Sequence, residues 1–214
     1  MEWICHITRT AKAMVVFCMV CFGVTCNNLE SHAQQYHPIE LELRNAIFDT
    51  LRYYTNFTVE QTGKNDHWAI YRFNKLQKGA KGRAWCSDFI LYGYHKNGVY
   101  PPLVTGVAYS WKKKKTLVYW PAMGVDVRRI KQLVNMMDVV VFTWSHVEGY
   151  TDCNILGPIT IGGNTKGYRP KEGAYYPIHR RWRDVRGIYN HVTPWLKAHE
   201  RSSAIKMSFN FQTL

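Results

Sequence analysis

The spacing of the apolar residues changes at Met137, and this change is the sequence feature that most restricts the possible folds of the chain. Before it, apolar residues recur at helical spacing, most clearly from Pro38 to Tyr54, where the steps are three or four residues. After it, short runs rich in Val, Ile, Tyr and Phe are separated by Gly, Asn and Pro, which is typical of strands. Helices followed by strands predict an α+β domain with N-terminal helices packed on a curled antiparallel β-sheet.

The individual elements follow from the same patterns and from local start and stop signals. Predicted helices cover Pro38 to Tyr54, Asp66 to Leu76, Trp85 to Asn97, Asp126 to Met136 and Trp195 to Ser202. Predicted strands cover Asp138 to Trp144, Val147 to Tyr150, Ile155 to Ile161 and Tyr176 to Ile188. The stretch from Val107 to Lys115 is predicted to be irregular and partly helical.

The N-terminal segment resembles an export signal. Arg9 and Lys12 precede an apolar run of 14 residues that ends at Cys26, which is too short to cross a membrane as a helix. Small residues at positions 31 and 33 then suit cleavage before Gln34. We therefore expect residues 1–33 to be a signal peptide, residues 34–214 to be one domain, and the mature chain to be secreted or periplasmic.

Two other interpretations of this segment remain open. One is a buried N-terminal helix, although the run has no polar face. The other is cleavage before Cys26 with a lipid attached to that thiol, although a Leu three residues earlier is lacking.

Charge and cysteine content restrict the class of protein further. The chain carries 28 Lys and Arg against 15 Asp and Glu, a net charge of +13 that removal of residues 1–33 does not change. Such a surface favours polyanions, including nucleic acid, anionic lipid, acidic glycan and the bacterial cell wall, without selecting among them. Only Cys86 and Cys153 lie after the signal, so this is not a disulfide scaffold. They can pair or remain separate, and free thiols are the preferred interpretation.

Three residues together suggest nucleophilic catalysis. Cys86 opens a predicted helix after a glycine-rich loop, where helix N–H groups and the helix dipole favour a thiolate, although Asp88 opposes this effect. His146 and Asn164 lie near neighbouring predicted strands. A thiol, an imidazole and a group that orients the imidazole are what a cysteine peptidase needs. Taken singly, each residue is better explained as a buried thiol, a polar residue at a strand end or part of a tight turn.

Four motifs in this order resemble the CHAP amidase/peptidase family, the cell-wall hydrolase branch of the papain-like superfamily. Each motif is weak alone, and together they extend from Thr62 to Asn164. They are Thr62-Gly-Lys-Asn-Asp66 with Tyr71, Ala84-Trp-Cys-Ser-Asp-Phe89, Asp138-Val-Val-Val-Phe142 followed by His146-Val147, and Ile161-Gly-Gly-Asn-Thr165.

This resemblance implies a papain-like fold and a site in which Cys86 is the nucleophile, His146 the base and Asn164 the orienting residue. Trp85, Trp144 and Glu148 are expected to contact the substrate. Three departures stand out: Met137 where the family has Gly, Glu148 where a small residue follows His-Val, and Ala80 where papain-type enzymes have Gln. The N–H group of Cys86 is therefore the one oxyanion donor that can be named.

The resulting hypothesis is a secreted cysteine amidase or endopeptidase that cleaves peptide or amide bonds in peptidoglycan. Basic side chains would also contact anionic cell-wall polymers, and we expect a monomer that binds no specific nucleic acid. The histidines lack metal-ligand spacing, so we expect no metal and no cofactor. The alternative is a secreted basic module without catalytic activity that binds cell-wall glycan or another polyanion.

Overall fold

The computed structural model describes residues 38–76, 78, 82–166 and 171–199. The chain divides into two compact units, Met1–Gln35 and Tyr36–Leu214, and every described residue belongs to the second unit. The predicted signal segment, residues 1–33, and the end of the last predicted helix lie outside the described residues. No helix among those described has both the length and the apolar character needed to span a membrane.

Four α-helices have defined bounds: α1 (Pro38–Thr55), α2 (Trp68–Lys75), α3 (Cys86–Lys96) and α4 (Val127–Leu133). Residues 192–199 are also helical. The predicted starts of these four helices were correct to within two residues, whereas the last helix begins at residue 192, three residues before the predicted start at Trp195. At α2 the difference has a physical reason: the His67 ring caps the helix by accepting from the N–H of Ala69, whereas Asp66 accepts from the hydroxyl of Thr62.

Six strands form one antiparallel sheet that does not close into a barrel. They are β1 (Leu117–Tyr119), β2 (Val139–Phe142), β3 (Val147–Cys153), β4 (Pro158–Thr165), β5 (Gly173–His179) and β6 (Val185–Tyr189), in the order β1-β6-β2-β3-β4-β5. Two details differ from the sequence prediction. The short strand β1 was missed, and the single strand predicted from Tyr176 to Ile188 is divided by a 3-10 turn at Trp182–Asp184.

Apolar side chains cover both faces of the sheet. In β2, Val139 and Val141 belong to the larger core formed with helices α1 to α3. Val140 and Phe142 belong to a smaller core on the other side, which includes Ile130 of α4. Because both faces are covered, β2 is apolar at every position rather than alternating.

A buried arginine connects α1 to the sheet. Arg44 is 1% exposed and donates to Asp138 before β2 at 2.9 Å, to Glu40 one turn earlier in α1 at 2.9 Å, and to Asn190 after β6 at 3.0 Å. Burial raises the pKa of Asp138, and the charge of Arg44 opposes that rise. This network holds the first helix, the central strand and the last strand in one arrangement.

Replacement of Arg44 by Ala is expected to lower the free energy of unfolding by about 3–5 kcal/mol, because the buried Asp138 loses its ion-pair partner. The measurement is urea denaturation monitored by circular dichroism. Glu42→Ala, an exposed position on the same helix, is the control and should change stability by less than about 0.5 kcal/mol. Equal effects of the two substitutions would contradict this role of Arg44.

Candidate active site

Cys86 is the first residue of α3, and the chain on its N-terminal side is held by two hydrogen bonds. The backbone N–H of Trp85 donates to the side-chain oxygen of Asn164 at 2.9 Å. The indole N–H of Trp85 donates to the side-chain oxygen of Asn65 at 3.0 Å. Cys86 itself is 5% exposed. The thiol therefore has a well-defined position at a helix N-terminus, near the protein surface.

The two glycines of β4 make room for the site. A Cβ atom at Gly163 would lie 2.4 Å from the indole ring of Trp85 and 2.8 Å from Phe89, so only glycine lets β4 pass this close to α3. Asn164 then has a positive φ of 55° at an irregularity in the pairing of β4 with β5. Such an irregularity changes the direction of a side chain, and here the amide oxygen of Asn164 meets the Trp85 N–H.

His146 lies in the turn between β2 and β3, and its ring interacts with the side chain of Cys86. Its Nε2 atom is 3.0 Å from Oε1 of Glu148. Because Nε2 faces Glu148, Nδ1 is the ring nitrogen left for the sulfur. His146 is 6% exposed, so the thiol–imidazole pair is largely shielded from water.

Glu148 in β3 is fully buried, and its carboxylate has two hydrogen-bond partners besides His146. Arg180 donates through Nε to Oε2 at 2.9 Å and through Nη2 to Oε1. The hydroxyl of Thr160 donates to Oε2 at 2.5 Å. A Cβ atom at Gly162 would lie 2.7 Å from Cγ of Glu148, so this glycine leaves the space that the carboxylate occupies. The side chains form a chain of contacts from Cys86 through His146 and Glu148 to Arg180.

These contacts set the charges of the site. Burial alone lowers the pKa of His146, but interactions with Cys86 and Glu148 outweigh burial and raise that pKa to about 9. Burial alone raises the pKa of Glu148, but Arg180 and His146 outweigh it and lower that pKa to about 2. At neutral pH the site therefore holds an imidazolium next to the sulfur, and this positive charge favours a thiolate.

The shifted pKa values of His146 and Glu148 also set the pH range in which these two charges stabilise the folded protein. The protonated His146 ring contributes fully to the free energy of unfolding below pH 6.5, and this contribution is lost as the pH rises through about 9. The Glu148 carboxylate contributes fully to the free energy of unfolding above pH 4.5, and this contribution is lost as the pH falls through about 2.

Asp88, whose charge opposes a thiolate at the start of α3, is paired with Arg83. The guanidinium approaches the two carboxylate oxygens at 2.7 and 2.6 Å. Asp88 is fully buried, and burial raises its pKa. Arg83 therefore opposes the unfavourable field that the sequence indicated.

Three predicted site roles need correction. Asn164 does not orient the imidazole, because its side-chain oxygen accepts from Trp85 and Glu148 occupies Nε2 of His146. Trp85 is fully buried among aromatic side chains and cannot line a substrate groove. Glu148 is also fully buried, so it contacts His146 rather than a substrate.

The remaining predicted contact, Trp144, is 44% exposed and lies beside the site. Its ring stacks on Phe142 with centroids 4.9 Å apart, and the Phe142 centroid is 5.8 Å from that of His146.

Tyr109 was not identified from the sequence. It is 37% exposed, and its hydroxyl donates to the carbonyl of Thr143, next to Trp144. The Arg180–Glu148 pair was also missed, because residues 32 positions apart show no spacing signal.

Cys153 is a buried free thiol, as preferred from the sequence, and Cys86 is free as well. Burial raises the pKa of Cys153, and a hydrogen bond with Tyr150 opposes that rise. Within the described ranges, no group of three or more His, Cys, Asp and Glu side chains is placed to hold a metal ion.

No family model, curated protein or solved structure matches this chain. The interpretation of the site therefore depends on its own geometry and chemistry.

Nuclear magnetic resonance titration of the histidine side chains tests the charge state of the site. The resonance that disappears in His146→Asn should titrate near pH 9, and in Glu148→Gln it should move toward the ordinary value of 6.5, because the anion beside the ring is gone. Glu42→Gln, an exposed carboxylate on α1, is the control and should leave the titration unchanged. An ordinary titration in the unmodified protein would contradict the proposed imidazolium.

Proposed function

We propose that the chain is a papain-like cysteine amidase or endopeptidase that acts on peptidoglycan stem peptides. The observation that carries this proposal is the interaction of the Cys86 side chain with the His146 ring, one nitrogen of which is held by the buried Glu148. This arrangement supplies a nucleophile, a proton carrier and an orienting anion within one connected set of side chains.

The first half-reaction forms a thioester. The Cys86 thiolate attacks the carbonyl carbon of the scissile amide, and the carbonyl oxygen becomes an oxyanion. The C–N bond then breaks as the His146 imidazolium gives its proton to the leaving amine. The amine departs, the acyl group stays on the sulfur, and the imidazole is neutral.

The second half-reaction restores the enzyme. Neutral His146 takes a proton from water as the water oxygen attacks the thioester carbonyl. The C–S bond breaks, the carboxylic acid leaves, and the thiolate–imidazolium pair is regenerated. Throughout, Glu148 holds the ring and stabilises its protonated form without accepting the proton, because its pKa is about 2.

The oxyanion requires hydrogen-bond donors that are already in place. As the first residue of α3, Cys86 has a backbone N–H with no acceptor inside the helix. The papain-type glutamine position, Ala80, lies outside the described residues. The N–H of Cys86 is therefore the donor on which the proposal relies.

The choice of peptidoglycan combines charge with the resemblance drawn from the motifs. Trp144 and Tyr109 form an exposed aromatic rim beside the site, and the guanidinium of Arg186 lies 5.3 Å from the Tyr109 ring. Stem peptides carry carboxylates that such a rim and a net charge of +13 would attract. An export signal in residues 1–33 would bring a monomeric enzyme to this substrate in the periplasm or outside the cell.

Digestion of purified peptidoglycan, with the products identified by mass spectrometry, tests the proposal. The protein should release new muropeptides, and Cys86→Ala should lower the rate at least about 1,000-fold because it removes the nucleophile. Cys153→Ala is the matched control: it removes the other described thiol, which is buried beside Tyr150, and should retain the rate within a few-fold.

Two results would contradict the proposal. Unchanged muropeptides with the unmodified protein would favour the basic binding module, provided that the protein sediments with the cell wall. Equal product release by Cys86→Ala would assign the hydrolysis to another group.

A further inference from the structure

A second concave site lies away from Cys86. It is a cavity of about 620 Å³ whose walls come from the chain after α3, from residues 112–116 and from the helical segment 192–199. Cys86 begins α3, whereas Tyr100 and Leu103 of the cavity follow its end, so the helix length of about 16 Å separates the two sites. Neither His146 nor Glu148 lines the cavity.

Apolar side chains form one part of the cavity wall. Tyr100, Leu103 and Trp195 contribute to it, together with Pro102 and Pro194. Leu103 is 83% exposed and Tyr100 is 59% exposed, so this wall presents large apolar side chains to water. An apolar ligand body would cover surface here that is otherwise in contact with water.

Cationic side chains form the other part. The four consecutive lysines from Lys112 to Lys115 line the cavity, and no Asp or Glu is among the described residues of its lining. Burial and the charge of Lys113 lower the pKa of His191, in the same wall, to about 4, although a hydrogen bond to the Trp111 carbonyl opposes this. His191 is therefore neutral at pH 7, and the lysines supply the charge of the cavity.

An unused hydrogen-bond donor lies in the same wall. The indole N–H of Trp195 is buried and has no acceptor in the part of the chain that the structure describes. A buried donor without an acceptor costs free energy, and an oxygen atom of a ligand would remove that cost once the indole ring turns toward the cavity.

We propose that this cavity binds one amphipathic anion, consisting of an unbranched alkyl chain with a terminal phosphate or carboxylate. The apolar wall takes the chain, while the lysines and the Trp195 N–H take the anionic oxygens. The volume lies within the roughly 300–1,000 Å³ typical of ligand pockets. The site is separate from the proposed hydrolase site and does not depend on it.

Isothermal titration calorimetry with dodecyl phosphate, kept below its micelle concentration, tests the proposal on the purified protein. One molecule should bind per chain. Dodecyl maltoside, which keeps the chain without the charge, and inorganic phosphate, which keeps the charge without the chain, should each bind at least about tenfold more weakly. Cys86→Ala should bind as the unmodified protein does, so a failed hydrolase proposal leaves this result interpretable.

Charge-matched variants separate a specific site from general attraction. Lys113→Gln with Lys114→Gln should weaken binding of dodecyl phosphate about tenfold or more. Lys75→Gln with Lys171→Gln changes the net charge equally at exposed positions outside the cavity and should leave binding within about twofold.

Three outcomes would overturn the proposal. Equal weakening by both double variants would mean attraction by net charge alone. Equal binding of dodecyl maltoside would mean that the lysines do not recognise the ligand. Binding to vesicles of anionic phospholipid without binding of dodecyl phosphate would identify a membrane-contact surface instead.

Discussion

The buried Glu148 carboxylate is the group on which the charge and geometry of the site depend. A fully buried carboxylate is stable as an anion only when other groups compensate its charge, and Arg180, Thr160 and the His146 ring do so here. In return, the anion fixes the imidazole and keeps it protonated at neutral pH. Burying these charges costs desolvation free energy, so the ion pair is not by itself evidence of added stability.

Close packing of α3 against the sheet places the sulfur beside this ring. Gly163 lets the start of α3 approach β4, and Gly162 leaves space for the carboxylate on the opposite side of the same strand. Asn164 completes the arrangement by holding the backbone N–H of Trp85. Three consecutive residues of β4 thus each make a different contribution to the geometry of the site.

The sequence predicted the α+β class, the main helices and the thiol–imidazole pair, because periodicity and local motifs carry that information. It did not predict the orienting residue. The motif resemblance indicated Asn164, and Glu148 appeared only as a departure two positions from His146. Its role depends on the pairing with Arg180, 32 residues away, and such a contact is set by strand register, which local patterns do not report. Trp85 was misjudged for a similar reason, since burial of an aromatic ring is decided by packing.

The central claim is that a protonated His146 ring activates Cys86 as a nucleophile, and the rate of Cys86 alkylation at pH 7 tests this most directly. Labelling with iodoacetamide, followed by peptide mass spectrometry, gives separate rates for Cys86 and Cys153. The account predicts that Cys86 is labelled at least about tenfold faster than Cys153, and that Glu148→Gln, which removes the anion beside the ring, slows the labelling of Cys86. Equal labelling rates of the two thiols, or a Cys86 rate that Glu148→Gln leaves unchanged, would contradict it.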